Sequence, residues 1–446
     1  MSSYVVVGGG ISGLTAAYRL RRTLGPAAQI TVFDPADRLG GVLRTERVGG
    51  QPMDVGAEAF VVRRPEMPAL LHELGLAARQ IGTTGVRPLI YAQRRLFGMP
   101  ADTVNGIPSS AASMTGLADD ATVSRMAVEP SRPLDWRPGA DPTVAALVGD
   151  RFGAQVVARS VDPMLAGVYA GSAATIGLRA AVPTVAAALD RGARSLTDAV
   201  RSVLPPNTGA PVFGAVEGGY EVLLRELVDQ SGLCWVGTAV EELHRDGGQW
   251  VLRDDEGSQW RADGVVLALP APRFARLTAP VAPRSAAAAG RIEMASSAVV
   301  ALAVPGGTPL PQRSGVLVAS GERLRAKAIT LSTRKWGRRG NSELLRLSFG
   351  RFGDTIARDT SDEDLLSWSV ADLGEVFDVT VEPQDALVHR WLDAMPQYGP
   401  GHAALVAEVR AGLPPGLAVA GSYLDGIGVP ACVAAAGRAV AELTGS

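Results

Sequence analysis

The residues of this chain best suited to chemistry are glycines. Gly8, Gly10 and Gly13 hold the fixed places of a G-x-G-x-x-G run, with Gly9, Ile11 and Ser12 between them. That spacing supplies a tight turn, close backbone approach to a pyrophosphate, and close packing of a helix on its strand. The positive end of the helix then points at the phosphates. Asp34 ends the next apolar run, where an acid holds a ribose hydroxyl and disfavours a 2′-phosphate. A dinucleotide other than NADP is implied; the alternative is a structural turn. Just downstream, RLGGVLRT (38–45) adds Arg38 and a second glycine pair, Gly40 and Gly41. A cation and a second glycine turn suit a long, doubly charged pyrophosphate.

Other reactive side chains are sparse. His72, His244, His389 and His402 are scattered without metal-ligand or nucleophile–base spacing, and each reads best as a surface or packing residue. Two cysteines, Cys234 and Cys432, cannot build a disulfide scaffold or a thiolate zinc site. A formal charge of −2 argues against a nucleic-acid binder, which needs a concentrated basic surface. Lys327 and Lys335 are the only lysines. The arginine excess reads either as GC-rich coding bias or as guanidinium groups that grip carboxylates bidentately.

The positioning elements follow from hydrophobic periodicity. Residues 4–7 read as a buried strand, 8–13 as a turn, 14–25 as a helix and 29–34 as a second strand. From about 66 to 205 the chain is Ala- and Leu-rich, with helices at 68–76 and 142–153; the Pro/Ser/Gly-rich stretch 105–141 reads as a long mobile loop. A strand-turn-helix is expected at 212–227, short strands with a GG turn at 234–255, and a buried strand at 262–271. Further strands are expected at 293–305, 314–319, 328–334 and 343–349. The chain then ends in a strand and turn (416–426) and a helix (431–444). At 446 residues, 47% hydrophobic and 20% charged, it is long enough for at least two domains and too apolar for disorder. The first strand leaves no room for a leader, and apolar runs fall short of the about 20 residues that span a bilayer. A cytoplasmic protein, soluble or peripherally attached, is expected.

Local stretches resemble known proteins. RLGGVLRT resembles the R-x-G-G-x-x-x-T sequence of the flavin amine oxidase superfamily, and DVGAEAF (54–60) resembles the segment passing the flavin there. This resemblance selects FAD over NAD and implies cofactor contacts at Pro35, Val42, Gly56, Ala57, Glu58 and Ala59. LAVAGSYLDGIGVPACV (417–433) resembles the terminal flavin-covering motif, which implies contacts at Gly421, Ile427, Gly428 and Val429. A helix end there can stabilise negative charge at a reduced flavin. Val240 would cover the adenine end. Trp391 would pack over the flavin or its ribityl chain, or equally in a plain core.

More specific are DPMLAGVYAG (162–171) and MPQYGPGH (395–402), which resemble the E-P-x-x-x-G-x-Y-A-G and P-Q-Y-x-x-G-H segments of protoporphyrinogen/coproporphyrinogen oxidases, with Asp162 in place of Glu. The composition resembles the Gram-positive bacterial branch. The resemblance implies six-electron oxidation of coproporphyrinogen III to coproporphyrin III by FAD and molecular oxygen, releasing hydrogen peroxide. No side chain is required as catalyst. Ala166, Gly167, Val168 and Tyr169 would shape the porphyrinogen cavity, or form a loop between domains. Arg63 or Arg64 would meet a propionate, or form a solvated basic turn. The implied fold is α/β: a discontinuous Rossmann-type FAD-binding domain (1–80, 206–272 and 404–446), a mixed-sheet substrate-binding domain (273–403) and a helical domain (81–205) that is a candidate for membrane association. A ferrochelatase or a membrane surface is a candidate partner. Competing readings are protoporphyrinogen oxidase, flavin amine oxidase, which would want an aromatic cage that 5% aromatic residues supply poorly, carotenoid desaturase, and the flavin-free Rab-escort type.

Overall fold

Val5, Val6 and Val7 are almost wholly buried, as a strand covered on both faces requires. Their strand, Ser3–Val7, runs parallel to Gln29–Phe33 on one side and to Gly264–Leu267 on the other. In this computed structural model, which describes residues 2–206, 209–338 and 340–445, Cys234–Val236 and Leu417–Val419 complete a five-stranded parallel sheet. Its strands therefore come from three separate regions of sequence. Helices Ile11–Leu24, Tyr220–Ser231 and Val429–Thr444 pack together on it. Met1, Asn207, Thr208, Arg339 and Ser446 lie outside the described residues, so the outer limits drawn at 1 and 446, and residues 207–208 next to the 206 boundary, have no structural account here.

A seven-stranded mixed sheet forms the second layer. Its order is Asp385–Pro396, Met294–Pro305, Ser342–Phe349, Ala328–Leu331, Gly315–Val318, Leu89–Ala92, Arg95–Gly98. The last two strands correct the expectation that 81–102 belongs with the helices: Leu89–Ala92 pairs in parallel with Gly315–Val318. The other boundary moves too. Ala271, Phe274, Leu277, Ala288, Ala289 and Ile292 join the core beneath the parallel sheet, so helices Ala271–Thr278 and Pro283–Ala289 pack with the parallel-sheet layer. The strand expected at 328–334 stops at Leu331, and Ser332–Trp336 turns into a short helix.

The helical layer has its own core, including Leu147, Phe152, Val161, Leu165, Val185 and Leu196. The stretch 105–141 is not a loop throughout. Asp119 caps helix Asp120–Val128 by accepting from the Thr122 N–H at 2.8 Å, and Glu129 is fully buried against Arg151 at 2.7 Å. Among the described residues no helix is long and apolar enough to cross a membrane.

Candidate active site

Helix Ile11–Leu24 begins at Gly10 with no side-chain cap, which leaves its first N–H groups free for an anion. A Cβ on Gly13 would sit 1.8 Å from the Gly8 carbonyl, and Gly8 itself has φ +108° against Ala268. Only glycine fits there. Asp34, followed by Pro35, is held rigidly: Oδ2 accepts the Gly9 N–H at 2.6 Å and Oδ1 the Ala36 N–H at 3.0 Å. The second glycine turn lies directly on the first. Gly40 donates its N–H to the Gly9 carbonyl at 2.8 Å, and a Cβ on Gly41 would press the Gly10 Cα at 3.0 Å. Arg38 locks this second turn by donating to the carbonyls of Leu39, Leu43 and Gly41.

The 54–60 segment crosses next. The Ala57 N–H donates to the Val42 carbonyl at 3.3 Å, and Gly56 is wedged between Val42 and the Trp391 ring. The Trp391 indole N–H donates to the Val55 carbonyl at 2.9 Å, so this tryptophan props the segment from the second sheet. Ala59 is half-buried, whereas the Glu58 carboxylate turns into the seven-stranded layer. It accepts from Lys335 Nζ at 2.8 Å, Trp336 Nε1 at 2.7 Å and Ser332 Oγ at 3.2 Å. Burial pushes this carboxyl up, but Lys335 and Arg346 pull harder and bring it down to about 2. Arg346 also donates to the Gly56 carbonyl at 2.6 Å.

The chain's last helix, Val429–Thr444, starts at Gly428, again without a side-chain cap. Ile11, Leu14, Val429 and Cys432 share one apolar cluster, so two uncapped helix N-termini converge. Val240 is buried at the start of its strand, in the cluster on which Leu39 packs. Rigid carboxylate, glycine cradle and paired helix ends suit the two phosphates and ribose of FAD. The residues fit the cofactor.

The segment expected to shape a cavity is helix Asp162–Tyr169, entered through a π-helical turn, Val157–Val161. Ala166 is buried, a Cβ on Gly167 would only graze Leu317, and Val168 is exposed. Asp162 ties the helix to the sheet by accepting from Ser320 Oγ at 2.8 Å, and to its own next turn through the Ala173 N–H at 2.7 Å. Tyr169 meets Tyr398 edge-on at 5.5 Å. Arg63 and Arg64 are both exposed, and Arg64 pairs with Glu66 at 2.9 Å.

Sequence reasoning missed the buried cations. Lys327 donates to Ser297 Oγ at 2.8 Å and to the carbonyls of Phe349 and Gly350, and burial lowers its pKa to about 7. Lys327 is buried and Lys335 half-buried in this layer, and their rarity among so many arginines was the available signal.

The family model described as flavin containing amine oxidoreductase matches residues 11–444. The chain belongs to this flavin amine oxidoreductase family. A protein of Mycobacterium leprae named coproporphyrinogen III oxidase is 67% identical, the match covering 99% of this chain and 98% of that one. One of the same name from Mycobacterium tuberculosis strain H37Rv is 68% identical, covering 99% and 97%. A crystal structure from Exiguobacterium sp. 255-15, described as a candidate protoporphyrinogen oxidase, is 28% identical with a TM-score of 0.88, covering 98% of each chain. Membership carries FAD as cofactor and the α/β architecture found above.

Proposed function

We propose that this flavin oxidoreductase converts coproporphyrinogen III to coproporphyrin III in haem biosynthesis. The observation that carries this reading is identity of 67–68%, sustained along 99% of the chain, to proteins named for that activity. FAD, when bound, supplies the two-electron acceptor, used three times per macrocycle and renewed by dioxygen with release of hydrogen peroxide. The chain's own work is binding and orientation. Gly8–Gly13 and the N-terminus of helix Ile11–Leu24 receive the pyrophosphate, and Asp34 the ribose. Gly56, held by Arg346 and Trp391, presents bare backbone beside the ring position, and the Asp162–Tyr169 helix offers small residues to a flat macrocycle. Arg63 or Arg64 meets a propionate. Transfer of product to a ferrochelatase, a cytoplasmic location and peripheral membrane contact belong to the same proposal.

The test is a paired assay. Purified protein is quantified for bound flavin, and porphyrin fluorescence is followed with coproporphyrinogen III and protoporphyrinogen IX in parallel. A higher kcat/KM is expected for the tetracarboxylate. Equal or reversed rates would move the assignment to protoporphyrinogen oxidase, the description given to the Exiguobacterium structure.

A further inference from the structure

The 395–402 segment does none of the chemistry assigned above, yet its side chains converge on the turn that precedes the last helix. Tyr398 is 3% exposed and donates its hydroxyl to the Ser422 carbonyl. Its ring stands edge-on to Tyr169 on one side and to His402, 4.1 Å away, on the other. His402 is 5% exposed, with Nε2 3.2 Å from the Leu424 carbonyl. A carbonyl only accepts, so Nε2 carries the hydrogen. Burial lowers the pKa of this ring, which favours the neutral form that makes the bond. Asp425, the next residue, is gripped by both Arg410 and Arg438.

In the opposite direction the same segment holds the helical layer. The Gly177 N–H donates to the Tyr398 carbonyl at 2.8 Å, and Gln397 Nε2 donates to the Tyr169 carbonyl at 2.8 Å. Packing alone does not demand these polar contacts: the hydroxyls of Tyr18, Tyr220 and Tyr423 are buried without a partner among the described residues. Residues 420–428 form no helix or strand of their own, so external anchors set their path.

We propose that Tyr398 and His402 are positioning residues for the cofactor-closing turn. They fix alternate carbonyls of 421–428, so that the N-terminus of helix Val429–Thr444 stands where the flavin needs it, and they tie that turn to the Tyr169–Gly177 segment. The role rests on the flavin reading above, while the anchoring itself is measurable without cofactor.

The test is hydrogen–deuterium exchange on flavin-stripped and flavin-loaded protein, using Tyr398→Phe, His402→Leu and His402→Gln. In stripped protein, Tyr398→Phe and His402→Leu should raise exchange of the 421–428 amides by about five-fold, the effect of one lost hydrogen bond. Amides of 8–13 and 240–254 should not change. The FAD dissociation constant should rise by a similar factor, and kcat should fall more than KM rises. His402→Gln, which can still donate from a side-chain nitrogen, should recover most of each effect. Unchanged exchange at 421–428, or a rise spread evenly over the chain, would overturn the proposal. If one variant does not fold, the other still decides. If wild-type protein takes up no FAD, the cofactor reading fails, whereas the stripped-protein exchange still judges the anchors.

Discussion

Glu58 holds two layers together through one carboxylate. It sits on the 54–60 segment beside the glycine turns, but its oxygens are taken by Lys335, Trp336 and Ser332 of the seven-stranded layer. Removing one partner of a buried pair strands the other charge, which costs about 3–5 kcal/mol. Glu58→Gln should therefore lower unfolding stability by about 3–5 kcal/mol in urea titrations and weaken FAD binding; a loss below about 1 kcal/mol would mean Lys335 finds other partners. Asp54, four residues earlier, behaves oppositely. Burial raises its pKa from 3.8 to about 6, so its protonated form is the one the fold favours. That stabilisation is present below pH 3.8 and is lost as pH rises through about 6. Glu58, lowered from 4.5 to about 2, contributes above pH 4.5 and loses its contribution as pH falls through about 2. Asp54→Asn should flatten the stability decline between pH 4 and 6, worth about 3 kcal/mol at about 1.4 kcal/mol per pKa unit. Urea midpoints across that range check it, and an unaltered slope would assign the titration elsewhere.

At the scale of elements, the stretch that looked like a loop is organised by a buried ion pair. Glu129 accepts from Arg151 Nε, from the Leu196 and Thr197 N–H groups and from Thr197 Oγ1, so it clamps three parts of the helical layer. Arg151→Met should cost about 3–5 kcal/mol and free the 120–131 region to proteolysis. Bound flavin per chain should stay near wild type, because the damage lies in another layer; parallel loss of flavin would show the layers unfold as one. The same clamp explains what the sequence could not disclose. Strands such as Ser3–Val7 and Met294–Pro305 were legible because their apolar runs are buried on both faces, and the glycine cradle because its spacing is local. Leu89–Ala92 and Arg95–Gly98 were too short to carry a periodic signal, and Gly315–Val318, the strand that joins Leu89–Ala92 to the sheet, lies far along the chain. Order in 105–141 comes from distant partners, such as Gln155 on Asp119 and Arg201 on the Ser109 carbonyl. The Glu58–Lys335 clamp spans 277 residues, beyond any local pattern. For Trp391 the sequence supports a place over the flavin or its ribityl chain and, nearly as well, a plain core position; its hold on the Val55 carbonyl joins residues 336 positions apart, beyond any local pattern.

Across the whole molecule, the cofactor layer cannot be completed until the end of the chain arrives. Gly264–Leu267 pairs with Ser3–Val7 on one edge and waits on the other for Leu417–Val419. The last helix then packs on Ile11–Leu24 and brings the second uncapped N-terminus to the cradle. Both helices contribute to one apolar cluster, through Ile11 and Leu14 on one side and Val429, Cys432 and Val433 on the other. A break between Gly412 and Leu413, after helix His402–Ala411, leaves both pieces with intact elements. Residues 1–412 alone should hold little FAD, because an edge strand and a helix end are missing. Co-expression with residues 413–446 should restore yellow protein, since apolar burial and strand pairing drive reassociation without a covalent link. Flavin absorbance per mole of the large fragment is the measurement. Wild-type flavin content in the large fragment alone would show that the first 412 residues form the cradle unaided, and the terminal helix would then lose its place in cofactor binding.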